Sequence, residues 1–170
     1  MSKQEYILRP IGKVRLNGDD PKTAEYFLDI EKPYRSALKE LDKWSHVIVL
    51  FWGHEMDNDE YRCVENWAVD VPYAEGAPKT GIFATRAEYR PNPILMTTSA
   101  ILNVDIKSGV VQLAGIDAFN GTPVIDLKAY FPMCDRVREA HIAPWLKEWP
   151  ECLEDGIEWW EEQGFFEDYE

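Results

Sequence analysis

A short stretch between residues 86 and 93 combines charged and aromatic side chains with a stiff backbone. Pro91 and Pro93 each fix φ, and each restricts the residue before it, Arg90 or Asn92, to an extended conformation. Such a loop can hold polar side chains in place without a new ordering cost at every binding event. The residue types alone leave two interpretations open: a pre-ordered binding loop, or a rigid surface turn with solvated arginines.

The histidines and cysteines do not have the spacing of a metal centre. The chain has three of each, with neither an H-x-x-H pair nor a C-x-x-C motif. The cysteines are Cys63, Cys134 and Cys152, and we expect them to be unpaired thiols. His54 ends a strongly apolar run and is a candidate site residue, whereas His46 is expected to be a satisfied strand-end histidine. The sequence therefore predicts no bound metal.

The charge distribution limits the partners that the chain can bind. The formal net charge is −13, which argues against a general nucleic-acid coat because phosphate binding needs clustered lysines and arginines. Ten acidic residues follow Lys147 and no lysine or arginine does, so residues 1–147 carry 18 positive against 21 negative charges, a balance of −3. A basic patch on this part of the chain is compatible with the sequence.

The hydropathy pattern also bears on location. No apolar run reaches the roughly 18 residues that span a bilayer, and the N-terminus lacks the apolar core of a secretory signal. These absences predict a soluble, cytoplasmic protein without a membrane partner.

The hydrophobic pattern favours short strands over alternating strands and helices. The predicted strands are about Tyr6–Leu16, Glu25–Ile30, His46–Trp52, Val64–Val71, Thr80–Thr85, Thr97–Ile106, Val110–Ile116 and Val124–Ala129. One helix is predicted over Tyr34–Lys43, and residues 107–109 are typical of a tight hairpin turn. Because parallel pairing needs crossovers that are scarce here, the predicted fold is mainly β: a single-sheet antiparallel β-barrel with a few short helices.

The C-terminal residues differ from the rest of the chain. After Pro150, the apolar residues Leu153, Ile157 and Trp160 recur at helical spacing, which predicts an acidic C-terminal helix. The sequence has no internal repeat or low-complexity linker. We therefore predict a β-barrel domain over residues 1–147 and an acidic, aromatic extension over residues 148–170. The extension is expected to pack on the barrel or on a partner subunit, with recognition of another partner as the alternative.

Four blocks of the sequence resemble the TrmO/TsaA-like family, the S-adenosylmethionine-dependent methyltransferases that act on threonylcarbamoyl-adenosine in tRNA. The blocks are IGKV at residues 11–14, LDKWSHVIVLFWGH at residues 41–54, GIFATRAEYRPNPI at residues 81–94 and IDAFNGTPVIDLKAYFP at residues 116–132. They occur in the order of the family. The resemblance implies a small β-barrel, usually a homodimer, that binds S-adenosylmethionine without a Rossmann domain. The absence of a G-x-G-x-x-G segment in the sequence agrees with this expectation.

The resemblance also implies which residues bind the cofactor. By motif position, the cofactor-binding residues are His54, Glu55, Arg86, Met96, Asp117, Ala118, Phe119 and Asn120. Within this set, Arg86 offers a fork of donors to the amino-acid carboxylate of S-adenosylmethionine, and an acidic or aromatic wall tolerates its sulfonium.

The same loop supplies candidates for catalysis. Methyl transfer is an in-line displacement, so the enzyme must align the nucleophile with the methyl carbon and exclude water. The candidates for positioning the acceptor base are Tyr89, Arg90 and Asn92.

Several segments depart from the family pattern. Leu95 and Thr97 stand where the family usually has glycine and serine, and residues 66–76 contain two acids in place of the family's basic R-P-P-R element. The family's P-R-Q element has no clear counterpart in residues 17–23. Three functions therefore stay open. The four blocks favour N6-methylation of threonylcarbamoyl-adenosine next to the anticodon in tRNA. The acidic tail favours S-adenosylmethionine-dependent methylation of a small molecule. The third is a non-catalytic, regulatory S-adenosylmethionine-binding β-barrel dimer.

Overall fold

The computed structural model of the 170-residue chain describes residues 6–18, 23–62, 67–71, 74 and 76–163. Cys63, the start of the strand predicted over Val64–Val71 and the last residues of the acidic extension lie outside the described residues. The chain divides into two compact units, one within residues 1–66 and 85–136 and the other within residues 67–84 and 137–170. The domain division at residue 147 stays a prediction.

The first unit contains a closed antiparallel β-barrel, which confirms the predicted fold. The strands of the whole chain are β1 (Gly12–Asn17), β2 (Glu25–Ile30), β3 (His46–Trp52), β4 (Ala68–Val69), β5 (Thr80–Gly81), β6 (Ile94–Asp105), β7 (Val110–Leu113) and β8 (Pro123–Ala129). Six of them close the barrel in the order β1, β2, β7, β6, β3, β8, while β4 pairs with β5 in the second unit. The bounds of β2 and β3 agree with the sequence prediction residue for residue.

Side-chain alternation explains the barrel wall. In β3, Val47, Val49 and Phe51 are buried, and the residues between them face the outside of the barrel. Val14 and Leu28, on the first two strands, are 0% exposed and lie in the same core cluster. Removal of these aliphatic side chains from water is the main stabilising term of the barrel.

The hairpin predicted at residues 107–109 is confirmed. Gly109 has φ +80°, a conformation that glycine adopts without steric cost, and it ends the turn between β6 and β7. The Asp105 carboxylate accepts hydrogen bonds from the backbone N–H groups of Lys107 (3.0 Å) and Ser108 (3.2 Å). A hydrogen bond from the Ser108 hydroxyl lowers the pKa of Asp105 below its ordinary value.

The helix predicted over Tyr34–Lys43 is wrong. The segment forms two short 3-10 helices, Lys32–Leu38 and Leu41–Lys43, separated by Lys39 and by Glu40, whose φ of 67° is left-handed. An α-helix cannot continue through a left-handed residue. The apolar periodicity arises instead because Leu38 is buried in the barrel core and Leu41 packs against that core.

Some strand boundaries also differ from the prediction. The strand expected over Thr80–Thr85 ends at Gly81, and Ile82–Ala84 form a 3-10 turn. β1 begins at Gly12 rather than Tyr6, because residues 6–11 have no strand pairing and Tyr6 is 80% exposed. β6 begins at Ile94, earlier than predicted, and β7 ends at Leu113 rather than Ile116.

Three α-helices complete the described structure: α1 (Asp59–Arg62), α2 (Pro132–Asp135) and α3 (Leu153–Glu162). In the second unit, α3 confirms the predicted acidic helix, although Leu153 of its apolar stripe is 55% exposed. Trp160 packs instead against Trp149 and Trp159, with ring centroids 5.0 and 4.8 Å away. None of the described helices is long and apolar enough to cross a membrane.

Candidate functional site

Three connections of the barrel meet at one of its ends. Trp52, at the end of β3, pairs with Ile94, at the start of β6, and Phe51 pairs with Val124, near the start of β8. Since these strands are antiparallel, the segments that follow β3 and precede β6 and β8 leave the barrel on the same side. We call this side the loop end, and its segments are residues 53–58, 85–93 and 114–122.

The segment after β3 begins in contact with the arginine-bearing loop. The Gly53 N–H donates to the Pro93 carbonyl at 2.8 Å, and a Cβ at position 53 would lie 3.1 Å from Leu95 Cδ1. Glycine therefore permits this close approach. His54–Met56 then form a 3-10 turn in which His54 Nε2 lies 3.3 Å from Glu55 Oε1. The turn places a half-buried imidazole and an exposed carboxylate at the loop end.

The segment before β6 holds its own shape through Arg90. Arg90 Nη1 donates to the carbonyls of Thr85 (3.1 Å) and Ala87 (3.2 Å), so this guanidinium braces the loop. Arg86 is exposed, and no described residue forms a hydrogen bond or ion pair with it. The ring of Tyr89 is half-buried, with its centroid 6.2 Å from that of Tyr61.

The segment before β8 is anchored to β1. The Asn120 side-chain oxygen accepts a hydrogen bond from the Leu16 N–H at 3.1 Å, and the Gly121 N–H donates to the Val14 carbonyl at 2.8 Å. Gly121 has φ +86°, which explains the glycine at this turn. Asn120, one of the predicted cofactor-binding residues, therefore also anchors this loop to the barrel through its carboxamide.

The remaining residues of this segment differ in exposure. Phe119 is 67% exposed, whereas Ala118 packs against the barrel core. Asp117 is exposed as a residue, yet desolvation of its carboxyl group raises its pKa, and the negative charge of Glu88 raises that pKa further. The strand register places this segment at the same end of the barrel as the segment before β6.

Met96 occupies a different position from the other predicted residues. It lies on β6 opposite Leu50, on the outer face of the barrel, and is 40% exposed. Its neighbour Leu95 pairs with Phe51 and packs against the core. The leucine that replaces the family's usual glycine therefore fills the barrel interior rather than the outer face.

Sequence reasoning missed five residues in or beside the loop end. Trp52, Asp57, Tyr61, Arg62 and Glu88 contact or influence the predicted residues. Trp52 and Glu88 lie within two of the quoted family blocks, but nothing in the sequence gives either of them a role, and the other three residues lie outside the blocks. Their partners become visible only when the turn after β3 brings α1 beside the loop at residues 85–93.

The donor set at the loop end fits S-adenosylmethionine. The exposed guanidinium of Arg86 is of the type that binds a carboxylate, and the acidic side chains of Glu55, Glu88 and Asp117 are of the type that suits a cation such as a sulfonium. Two cavities of about 400 Å³ lie elsewhere in the first unit, and neither is lined by the predicted site residues. The loop end is the candidate site because the chemically suitable side chains lie there.

The structure holds no metal centre in its described part. Among the residues that it describes, no three histidine, cysteine, aspartate or glutamate side chains are grouped as metal ligands would be. His46 has its Nδ1 2.9 Å from the Ser45 hydroxyl oxygen, which agrees with a satisfied strand-end histidine.

Comparisons with known proteins place the chain in a family. The family model described as the tRNA-methyltransferase O N-terminal domain matches residues 16–136. A probable S-adenosyl-L-methionine-binding protein of Methanothermobacter thermautotrophicus is 32% identical over 79% of this chain and 97% of its own length. A tRNA (adenine(37)-N6)-methyltransferase of Rattus norvegicus is 40% identical over 55% of this chain and 20% of its own length.

A solved structure agrees with these sequence matches. The crystal structure of TrmO from Pseudomonas aeruginosa superposes with a TM-score of 0.63 and 27% identity, covering 83% of this chain and 63% of that one. The chain therefore spans nearly the whole length of the archaeal relative but only part of the rat enzyme and of TrmO. Because the family model matches more than half of the sequence and the barrel matches a member's fold, the chain belongs to the family of the tRNA-methyltransferase O N-terminal domain.

Proposed function

We propose that this protein is a cytoplasmic, S-adenosylmethionine-dependent methyltransferase that methylates N6 of threonylcarbamoyl-adenosine next to the anticodon in tRNA. The observation that carries the proposal is the convergence of three family segments at the loop end, where an exposed arginine lies on a braced loop beside acidic side chains. Relatives named as S-adenosyl-L-methionine-binding proteins and as a tRNA (adenine(37)-N6)-methyltransferase support it.

The side chains of the loop end have separate roles in this proposal. Arg86 holds the carboxylate of the methyl donor, and Asp117 contributes negative charge beside the donor's cation. Tyr89 and Asn92 orient the acceptor base, while Arg90 keeps their loop in one conformation. S-adenosylmethionine, when bound, supplies a methyl group on a positively charged sulfur. The N6–CH3 bond forms as the S–CH3 bond breaks, and N6 must lose its one proton, so the chain has to align acceptor and donor and place a polar acceptor near N6 to take that proton.

Two measurements test the proposal. Titration calorimetry with S-adenosylmethionine is expected to show binding, and a labelled methyl group is expected to pass to tRNA that carries threonylcarbamoyl-adenosine at the position next to the anticodon. Matched tRNA without the threonylcarbamoyl group is the control and should stay unlabelled. Binding without any transfer to tRNA would contradict the proposed acceptor, and absence of binding would overturn the proposed function as a whole.

A small-molecule acceptor is the second candidate, and the charge of the chain favours it. The net charge is −13, and residues 148–163 of the described structure contain no lysine or arginine. A tRNA-binding protein that neutralises several phosphates loses affinity steeply as salt is added. If tRNA is the acceptor, we expect the affinity of this protein for tRNA to fall steeply as salt is added. Labelling of a small acceptor, together with tRNA binding that is absent or independent of salt, would support the second candidate.

We also propose that the protein is a homodimer. On the outer face of the barrel, Ile94 and Met96 are 44% and 40% exposed, beside the outward-facing Ile48 and Leu50. A second copy that covers the same strip would form a two-fold, self-complementary contact with an apolar centre. Sedimentation of the wild type should give a dimer mass and sedimentation of Ile94→Glu a monomer mass. A monomeric wild type would overturn this proposal.

A further inference from the structure

Arg62 connects two segments of the loop end. It is the last residue of α1, and its Nε donates a hydrogen bond to the Pro91 carbonyl at 3.3 Å. Pro91 lies between Arg90 and Asn92, in the segment that carries the candidates for acceptor positioning. Arg62 thus reaches from the segment that follows His54 and Glu55 to the centre of the arginine-bearing loop.

The guanidinium of Arg62 is itself held in place. Its Nη1 lies 3.3 Å from Asp57 Oδ1, and the other oxygen of Asp57 accepts a hydrogen bond from the Trp52 indole N–H at 2.8 Å. The guanidinium carbon also lies 5.8 Å from the centre of the Trp52 ring, within the range of a cation–π contact. Because Trp52 ends β3, this chain of contacts ties the arginine to the rigid barrel wall.

Two points of attachment fix the position of a segment better than one. The Gly53 N–H holds the Pro93 carbonyl next to the barrel, and Arg62 holds the Pro91 carbonyl two residues farther out. A loop held only at Pro93 would be able to pivot there. The second attachment also keeps Tyr61, the neighbour of Arg62, beside Tyr89 at a ring distance of 6.2 Å.

We propose that Arg62 is a positioning residue: it clamps the loop at residues 85–93 onto the segment after β3, and so aligns the acceptor-binding side with the donor-binding side. The effect on methyl transfer rests on the proposed function. The clamp itself does not depend on the proposed function, because it is a structural link between two segments of this chain.

The chain offers a closely matched control in Arg15. Its Nε lies 2.9 Å from Asp29 Oδ2 and its guanidinium carbon lies 4.3 Å from the centre of the Phe27 ring. The side-chain exposures of this ion pair are 34% and 30%, against 37% and 31% for Arg62 and Asp57. Arg15 therefore has the same kind of ionic and aromatic partners, but they lie on the barrel wall and join two paired strands.

The first experiment compares turnover in Arg62→Ala and Arg15→Ala. At saturating donor and tRNA, we expect kcat of Arg62→Ala to fall about 10- to 100-fold, the range for a small misplacement of reacting groups. Its dissociation constant for S-adenosylmethionine should change far less than kcat, and Arg15→Ala should keep the wild-type kcat. Added guanidinium ions should raise kcat of Arg62→Ala alone. Equal kcat values for the two variants would overturn the alignment role.

A second variant distinguishes loss of the Arg62 contacts from misfolding of the protein. Arg62→Lys keeps the charge and the aliphatic stem but lacks the planar fork that reaches both Pro91 and Asp57. We expect a wild-type melting temperature and a kcat between those of the wild type and Arg62→Ala. A lysine variant with full kcat would show that the bridge is not needed.

Amide hydrogen exchange tests the clamp without turnover. Exchange at residues 85–92 should be faster in Arg62→Ala than in the wild type, and unchanged in Arg15→Ala. If the wild type neither binds S-adenosylmethionine nor labels tRNA, the proposed function fails while faster exchange still supports the clamp. Unchanged exchange in Arg62→Ala would overturn the clamp, whatever the activity of the wild type.

Discussion

The barrel wall and the loop end of the same unit are held together by different forces. The wall consists of paired strands whose inward side chains, such as Val14, Leu28 and Val49, are fully buried. The loop end is held by side chains that reach backbone carbonyls and N–H groups, as Arg90 and Asn120 do. Burial of the wall residues is worth more free energy per residue than these partly exposed polar contacts.

We therefore expect the wall to determine the stability of the unit and the loop end to determine the geometry of the site. Loss of a wall side chain is expected to lower the free energy of unfolding of the whole unit while leaving the site's shape intact in the molecules that stay folded. Loss of a polar contact at the loop end is expected to change binding or alignment with little change in global stability. Variants in the two regions test whether the separation holds.

The largest effect is expected from Leu28→Ala in the barrel core. Leu28 is 0% exposed, and its truncation leaves a cavity as well as removing buried apolar surface. We expect the free energy of unfolding to fall by about 2–5 kcal/mol, measured by urea denaturation. Affinity for S-adenosylmethionine, measured well below the melting temperature, should stay near the wild-type value.

The matched control is Leu102→Ala on β6, where the leucine is 60% exposed. Its effect should stay within about 0.5 kcal/mol. A large loss of cofactor affinity in folded Leu28→Ala would show that the wall and the loop end are not separable.

The next effect is expected from Arg86→Ala at the loop end. Removal of a guanidinium that bonds a carboxylate should weaken S-adenosylmethionine binding by about 1.5–3 kcal/mol, measured by calorimetry. Arg86 is exposed, so thermal unfolding of the free protein should not change. Arg86→Lys keeps the charge without the fork and should give an intermediate loss. An unchanged dissociation constant in Arg86→Ala would remove this arginine from the site.

The sequence predicts the wall much better than the loops. Strict alternation in residues 46–52 identifies β3 because inward and outward side chains differ in burial. The same reasoning fails for residues 34–43, where the apolar spacing suits a helix but a left-handed Glu40 divides the segment. The periodicity of apolar residues predicts which side chains are buried. It predicts the backbone conformation only where strand pairing or helical hydrogen bonding is regular.

The candidate site shows the same division. Family motifs select His54, Arg86 and Asn120, and the strand register then explains why their segments share one end of the barrel. The contacts of Arg62 with Asp57 and Pro91 depend on how two loops meet. No residue spacing in the sequence predicts how these two loops pack together.

A smaller effect on stability is expected from Asn120→Ala. The substitution removes the acceptor for the Leu16 N–H, so the free energy of unfolding should fall by about 0.5–1.5 kcal/mol. The amide of Leu16 should also exchange faster with solvent. Asn103→Ala, an exposed position on β6, is the control and should leave both quantities unchanged. If the Leu16 amide exchanges as slowly in Asn120→Ala as in the wild type, its hydrogen bond to the Asn120 side chain does not anchor this loop.

The smallest effect is expected from Asp117→Asn, and it has a distinctive dependence on pH. Desolvation, and then the charge of Glu88, raise the pKa of Asp117 in the folded protein above its ordinary value. The folded state therefore holds this proton more tightly than the unfolded state, and ionisation of Asp117 lowers the stability as the pH rises through the folded-state pKa. Below the ordinary pKa, about 3.9, this destabilisation is absent.

Asparagine removes the charge, so the melting temperature of Asp117→Asn should exceed that of the wild type near pH 7, and the difference should shrink as the pH falls towards 4. Glu88→Gln removes the neighbouring charge and should produce a smaller gain of the same sign, because desolvation is the larger cause. S-adenosylmethionine, a cation at sulfur, should bind Asp117→Asn more weakly than the wild type. If the melting temperature of Asp117→Asn exceeds that of the wild type by no more near pH 7 than near pH 4, the loop end does not disfavour the charge of this carboxylate. Equal affinity of the two proteins for S-adenosylmethionine would remove this carboxylate from the donor site.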